Sequence, residues 1–225
     1  MLLEKQNTSR RTPGLVTWVC WVGLTALGGI VGTFLLSVVS NANTSLNGLL
    51  IWCYLASPLF FVALGQWLLL RRFVAQASWW LLTSALGFLF VYPYLLIYGF
   101  SALYTSGQSL IFGTQEFWSV SLSLAIMSLL FGSLVGLMQG ILVIKRLGGL
   151  GAAPRLLLWW VTGSAIAWGV GYPLGEQFLA SFLWHASTPF SQAAAGLVVG
   201  TTWGIIGAIT GVVLIWVGRA RAKVW

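Results

Sequence analysis

The sequence predicts an all-α integral membrane protein of six transmembrane helices, arranged as three parallel-repeat hairpins with both termini on the cytoplasmic side. Three observations predict it. Hydrophobic residues make up 59% of the 225-residue chain and charged residues only 6%, against about 25% charged in an ordinary soluble domain. The cations are confined to alternate connections between apolar stretches. One apolar stretch is also written twice: WWLLTSALGFLFVYP from Trp79 and WWVTGSAIAWGVGYP from Trp159 match at an offset of 80 residues.

A helix needs about 20 apolar residues to cross ~30 Å of hydrocarbon. Six stretches have that length, at about 14–39, 49–70, 79–100, 118–144, 156–176 and 192–218. They form a single transmembrane domain over residues 1–225. The first follows Arg10 and Arg11 as a secretory signal would, but its apolar core of about 25 residues exceeds the 7–15 of a signal peptide, so it is read as a retained helix. With six spans, Lys5, Arg10, Arg11, Arg71, Arg72, Lys145, Arg146, Arg155, Arg219, Arg221 and Lys223 all fall on one side. The opposite connections, 40–48, 101–117 and 177–191, contain no cation. The positive-inside rule makes the basic side cytoplasmic. The net charge of +8 therefore points to anionic lipid headgroups, at ~1 kcal/mol per cation near the surface, and not to nucleic acid.

The repeat extends beyond the doubled stretch. Trp21 is followed by Thr25-Ala26-Leu27-Gly28, Trp80 by Ser84-Ala85-Leu86-Gly87, and Trp160 by Ser164-Ala165-Ile166-Ala167. The even spans close on GQWLLLRR from Gly65, MQGILVIKR from Met138 and TGVVLIWVGRAR from Thr210. These are three copies of one out-and-back hairpin in the same orientation, which gives parallel repeats about an axis along the membrane normal.

Trp18, Trp21, Trp67, Trp79, Trp80, Trp159, Trp160, Trp216 and Trp225 fall in the cytoplasmic third and are expected to anchor at headgroup level. Trp168 and Trp203 lie deeper, where they could stack on a chlorophyll-type pigment or a quinone. Small residues recur every four positions: Gly132, Gly136 and Gly140; Gly163, Ala167, Gly171 and Gly175; Gly196, Gly200 and Gly204. Such stripes let helix backbones approach closely. Cys20 and Cys53 lie in opposite leaflets and are expected to be small packing residues. Pro93 and Pro173 sit at one depth and are expected to bend or end their helices. Tyr92 and Tyr172 beside them are candidate contacts for a solute or partner at an outward-facing cavity.

Candidates for chemistry are few. The carboxylates are Glu4, Glu116 and Glu176, and the one histidine is His185. No carboxylate falls in the middle of a span, where an ion pathway would place one, and no nucleophile–base or metal-ligand constellation is present. No enzyme activity is expected. Glu176 at the outer end of the fifth span is a candidate solute or partner contact. Residues 177–186 read as a short amphipathic helix in the outer interface, carrying His185 as a candidate ligand to a chlorin magnesium or a quinone. Gln66 and Gln139, late in equivalent spans, are candidate contacts facing a shared cavity.

The closings GQWLLLRR and MQGILVIKR, each followed by a connection and then Trp-Trp, resemble segments of a loose group of uncharacterised bacterial membrane proteins, familiar from cyanobacteria, with repeated Gln-Trp-Leu-x-Leu-Arg-Arg segments. Gly140 stands where that pattern has Trp. The resemblance implies a bacterial inner or thylakoid membrane and transfers no catalytic residue. Two functions fit the sequence. One is a non-catalytic accessory or scaffold subunit of a larger photosynthetic or respiratory complex, partnered by lipids and other integral membrane subunits and holding lipid or pigment between helices. The alternative is a small-solute transporter or membrane substrate-binding component.

Overall fold

The computed structural model describes residues 14–42, 57–73, 77–87, 115–147, 153–183 and 189–222. These residues form six helices and no strand. They are α1 (Leu15–Ala42), α2 (Ser57–Leu70), α3 (78–87), α4 (Gln115–Leu147), α5 (Ala153–Leu183) and α6 (Pro189–Ala222). Three contain runs long and apolar enough to cross a membrane: Leu15–Gly32, Ser121–Ile141 and Leu197–Val217. A shorter apolar run, Pro58–Leu70, lies in α2. The 31 residues of α5 reach about 46 Å at 1.5 Å per residue, with aliphatic content diluted by Trp159, Trp160, Trp168, Tyr172 and Pro173.

The helices form a closed ring in chain order, with α3 joined to α2 by Trp80–Gln66 and to α4 by Ser84–Gln139, and the α1–α2, α4–α5, α5–α6 and α6–α1 pairs run antiparallel. A Cβ on Gly28 of α1 would lie 2.6 Å from the Val62 amide nitrogen of α2, while one on Gly65 would lie 3.1 Å from Leu24, a turn earlier in α1. As the position rises along one helix it falls along the other. The α4–α5 contact follows the same rule: Gly132 faces Ser164 and Trp168, Gly136 faces Ser164 and Val161, and Gly140 faces Leu157. On the α5–α6 contact, Gly163 faces Val213, Gly171 faces Ile206 and Gly175 faces Thr202. The ring closes where α6 returns to α1, with Gly200 on Ile30, Gly207 on Thr25 and Gly211 on Trp18. Lipid supplies no hydrophobic drive for helices to associate, so this closeness is what holds the ring. Gly204 has only the Ala26 Cβ, 3.9 Å from an added methyl group, and would accept alanine. The surroundings of Gly196 lie outside the described residues.

The ring is apolar outside and polar in the middle. Leu15, Val16 and Leu197 are 71%, 77% and 72% exposed, whereas Thr25, Ser84 and Ser128 are fully buried. Soluble proteins do the reverse. Together with the three spanning runs, this is the pattern of a helix bundle solvated by lipid.

Three expectations are corrected. Trp21, Trp80 and Trp160 are buried inside the ring, while Trp79, Trp159 and Trp216 are exposed on its outside. Neighbouring helical residues point about 100° apart, so only one Trp of each Trp-Trp pair can face lipid. Helix α5 runs unbroken through Pro173 to Leu183, so residues 177–183 continue it and do not begin a separate interfacial helix. Ending the helix at the proline would leave carbonyls unpaired where lipid offers no donor. Cys20 is exposed on the outside of α1 and does not pack in the interior. Cys53, Tyr92, Pro93 and His185 lie outside the described residues.

Candidate functional site

Two apolar clusters fill the ring. Trp21, Trp80 and Trp160 pack with Leu69, Leu70 and Ala77 towards the end that carries Arg71 and Arg72. Farther along lie Val62, Val135, Ile206, Phe131, Trp168 and Trp203. Between the clusters is a polar layer of Thr25, Gln66, Ser84, Gln139, Ser164 and Thr210, none more than 7% exposed.

The layer is built from matching positions of the three sequence copies. Each odd helix turns its second Trp inward and, one turn on, a hydroxyl: Thr25, Ser84 or Ser164. Each even helix supplies Gln66, Gln139 or Thr210 at the head of its closing segment, with Val62, Val135 or Ile206 one turn before. The indoles meet edge to face, Trp21 with Trp80 at 5.9 Å and 69°, and Trp80 with Trp160 at 5.5 Å and 77°. Such pairs contribute about 0.5–1.5 kcal/mol each beyond the area they bury.

The hydrogen bonds follow the same order. Gln66 Nε2 donates to Thr25 Oγ1 at 3.2 Å, and Gln139 Nε2 donates to Ser84 Oγ at 2.8 Å. Thr25 gives its own proton to the Trp21 carbonyl at 2.7 Å, so towards Gln66 it can only accept. That fixes the Gln66 amide and leaves Oε1 to accept from Trp80 Nε1 at 3.3 Å. Trp21 Nε1 donates to Thr210 Oγ1 at 3.0 Å, and Thr210 passes its proton to the Ile206 carbonyl at 2.8 Å. Each of these indoles therefore donates to the polar residue on the even helix of the preceding copy. The third indole departs from the rule: Trp160 Nε1 is buried without a partner.

These residues line a cavity of about 20 Å³ at the centre of the ring, room for about one water. The triplets Trp21–Trp80–Trp160 and Gln66–Gln139–Thr210 line it, with Ser164 between them and Trp168 and Trp203 beyond. No charged side chain lines the cavity, so it offers only the dipoles of amides, hydroxyls and indoles. Among the described residues no three His, Cys, Asp or Glu side chains come together.

Of the candidates read from the sequence, the ring brings Gln66 and Gln139 to one cavity. Trp168 and Trp203 stack on each other at 5.3 Å and 87°, and Trp168 also meets Phe131 at 4.4 Å. Both also line the far side of the cavity. Tyr172 is buried beside Trp168, with ring centroids 6.4 Å apart. Glu176 lies in α5, its side chain outside the described residues. Thr210 and the inward Trp triplet were not among the expected contacts, although the signal was present: Thr210 heads its closing segment where the other copies have Gln.

The layer can be tested at Thr210. Replacing it with valine keeps the shape but removes the acceptor of Trp21 Nε1, and a buried donor left unpaired costs about 1–3 kcal/mol. Thr210→Val should therefore lower stability by roughly 1–2 kcal/mol, measured as reversible unfolding in detergent. Thr201→Val, on the exposed side of the same helix with only its own Leu197 carbonyl as partner, should change it by a few tenths at most.

Comparison of the chain with protein-family models, curated proteins and solved structures gave no match.

Proposed function

We propose that this chain passes a small neutral polar solute across a bilayer, through the middle of a ring of six membrane-spanning helices. The observation behind this reading is the central layer, where Gln66, Gln139 and Thr210 hold matching places on one cavity in a chain with an apolar exterior. A polar layer inside a membrane bundle is costly to form, and its arrangement about an axis along the membrane normal suits a path between the two faces. Its neutrality selects the cargo. An ion would exchange its water for a few neutral dipoles at a large desolvation penalty, whereas a small hydroxyl or amide compound exchanges hydrogen bonds like for like.

In this reading the exposed Arg71, Arg72, Arg155 and Arg219 mark the cytoplasmic end, with Arg71 seated over the Trp67 ring at 5.4 Å. Both termini are then cytoplasmic, in a bacterial inner or thylakoid membrane. The accessory-subunit reading has less support, because the glycine faces are used within the chain, between α4 and α5, α5 and α6, and α6 and α1.

Liposomes containing the protein, mixed with hyperosmotic urea or glycerol in a stopped-flow instrument, should re-swell several-fold faster than protein-free liposomes. Unchanged swelling, together with migration in a larger assembly after gentle detergent extraction, would return the assignment to an accessory subunit.

A further inference from the structure

The three copies obey one hydrogen-bonding rule at two of three junctions. Trp80 donates to Gln66 of the preceding copy, and Trp21 donates to Thr210 across the ring closure. By the same rule Trp160 should donate to Gln139. Instead Trp160, 5% exposed, has its Nε1 buried and unpartnered, while Gln139 turns its Nε2 to Ser84 and keeps Oε1 as its acceptor. Both side chains line the central cavity, as does the Ser164 hydroxyl.

We infer that Trp160 Nε1 and Gln139 Oε1 hold between them one small neutral molecule that accepts a hydrogen bond from the indole and donates one to the amide. Two features fix the class. The occupant must offer both an acceptor and a donor, because the site presents one of each. It must be uncharged, because no charged side chain lines the cavity and a buried ion would be uncompensated. A water does this, and so does the end of a small amide. A cavity of about 20 Å³ admits the first whole and the polar end of the second. A buried indole N–H surrounded by lipid-solvated helices has no bulk water to satisfy it, which is why the bridge forms here. The inference deepens the transport reading by naming the point on the path where a solute is held.

The test reads occupancy and not flux. In lipid nanodiscs, protein labelled with 15N at its indoles gives one N–H signal for each of its 14 Trp residues, and Trp160→Phe identifies one of them by its loss. The Trp160 signal is expected at the downfield position of a hydrogen-bonded indole, with cross-relaxation to water. Gln139→Leu should move it upfield and remove the cross-relaxation. If Trp160→Phe does not fold, Gln139→Asn, which retracts the amide by one methylene, identifies the same signal by its shift. Added urea separates the sources. Movement of the signal with loss of the water contact assigns the site to an amide solute, and no change assigns it to a bound water. A Trp160 signal at the free-indole position overturns the inference, and so does one bonded directly to Gln139 without contact to water or urea. Flux in liposomes without an occupied Trp160 would leave transport standing and remove this inference alone.

Discussion

Gly132→Leu is expected to unfold the ring at the α4–α5 seam, with a loss of about 3 kcal/mol or more. A Cβ at Gly132 would lie 2.5 Å from the Ser164 carbonyl oxygen, 2.8 Å from the Trp168 Cβ and 3.0 Å from the Ser164 carbonyl carbon. Two of those neighbours are backbone atoms of a packed helix, which cannot swing aside as the end of a long side chain can. Forcing extra carbon into a filled seam typically costs 1–3 kcal/mol, and a rigid neighbour puts this site at the upper end. The seam joins the second and third copies, so moving the helices apart also separates Ser164 and Trp160 from Gln139. Gly23→Leu is the matched control, because an added Cβ there has nothing within 4 Å. It should be neutral, or slightly stabilising through helix propensity. Thermal unfolding in detergent distinguishes the two. Equal losses would mean that the close approach at Gly132 does not hold the helices together.

Gln66→Leu should lower stability by about 2 kcal/mol, and much of that loss should disappear in a background that lacks Trp80. Gln66 is 7% exposed and joins three helices, donating to Thr25 on α1 and accepting from Trp80 on α3. Leucine fills a similar volume but leaves the Trp80 N–H buried without a partner. Interhelical hydrogen bonds in membranes average about 0.6 kcal/mol and reach about 2. Two such bonds plus one orphaned donor place this substitution at the high end. Trp80→Phe alone removes the donor and part of the edge-to-face stack with Trp21 and Trp160. In the double variant no donor is stranded, so the combined loss should fall short of the sum by about 1 kcal/mol, a coupling within the range for residues in direct contact. Strict additivity would show that the 3.3 Å contact contributes nothing to stability.

The wide polar-to-apolar inversion of the bundle was legible in composition. A chain with 6% charged residues cannot cover a water-facing surface, so its outside had to be apolar. Helix positions were legible for the same reason: α4, α5 and α6 each contain the apolar run expected there and extend a few residues past it at both ends. The helical extension beyond Pro173 was less visible. Proline in a helix interior removes a backbone hydrogen bond and tends to break the helix, yet α5 continues through it to Leu183.

The candidate site was half legible. Gln66 and Gln139 stood out because amides are rare in apolar spans, and their equivalent positions implied a shared cavity. The Trp residues misled, because an indole serves equally well at a headgroup and in a core. Trp79 and Trp80 look alike as letters, yet they are 40% and 2% exposed. Which of them turns inward depends on where the neighbouring helices stand, and no property of either residue alone carries that information. Trp168 and Trp203 likewise belong to different helices more than thirty positions apart, so their mutual stacking depends on the crossing of α5 with α6.

By itself the sequence determined the apolar exterior, the helices and the recurrence of a Trp followed four positions on by a hydroxyl, because each follows from composition, run length and local spacing. The tertiary structure decided that the ring closes through α6 on α1, which polar groups meet at its centre, and that of the three inward indoles Trp21, Trp80 and Trp160 the last is without a protein acceptor. Those outcomes depend on distances between residues as far apart as Trp21 and Thr210. The packing of glycine faces sets those distances, and they exist only once all the helices are in place.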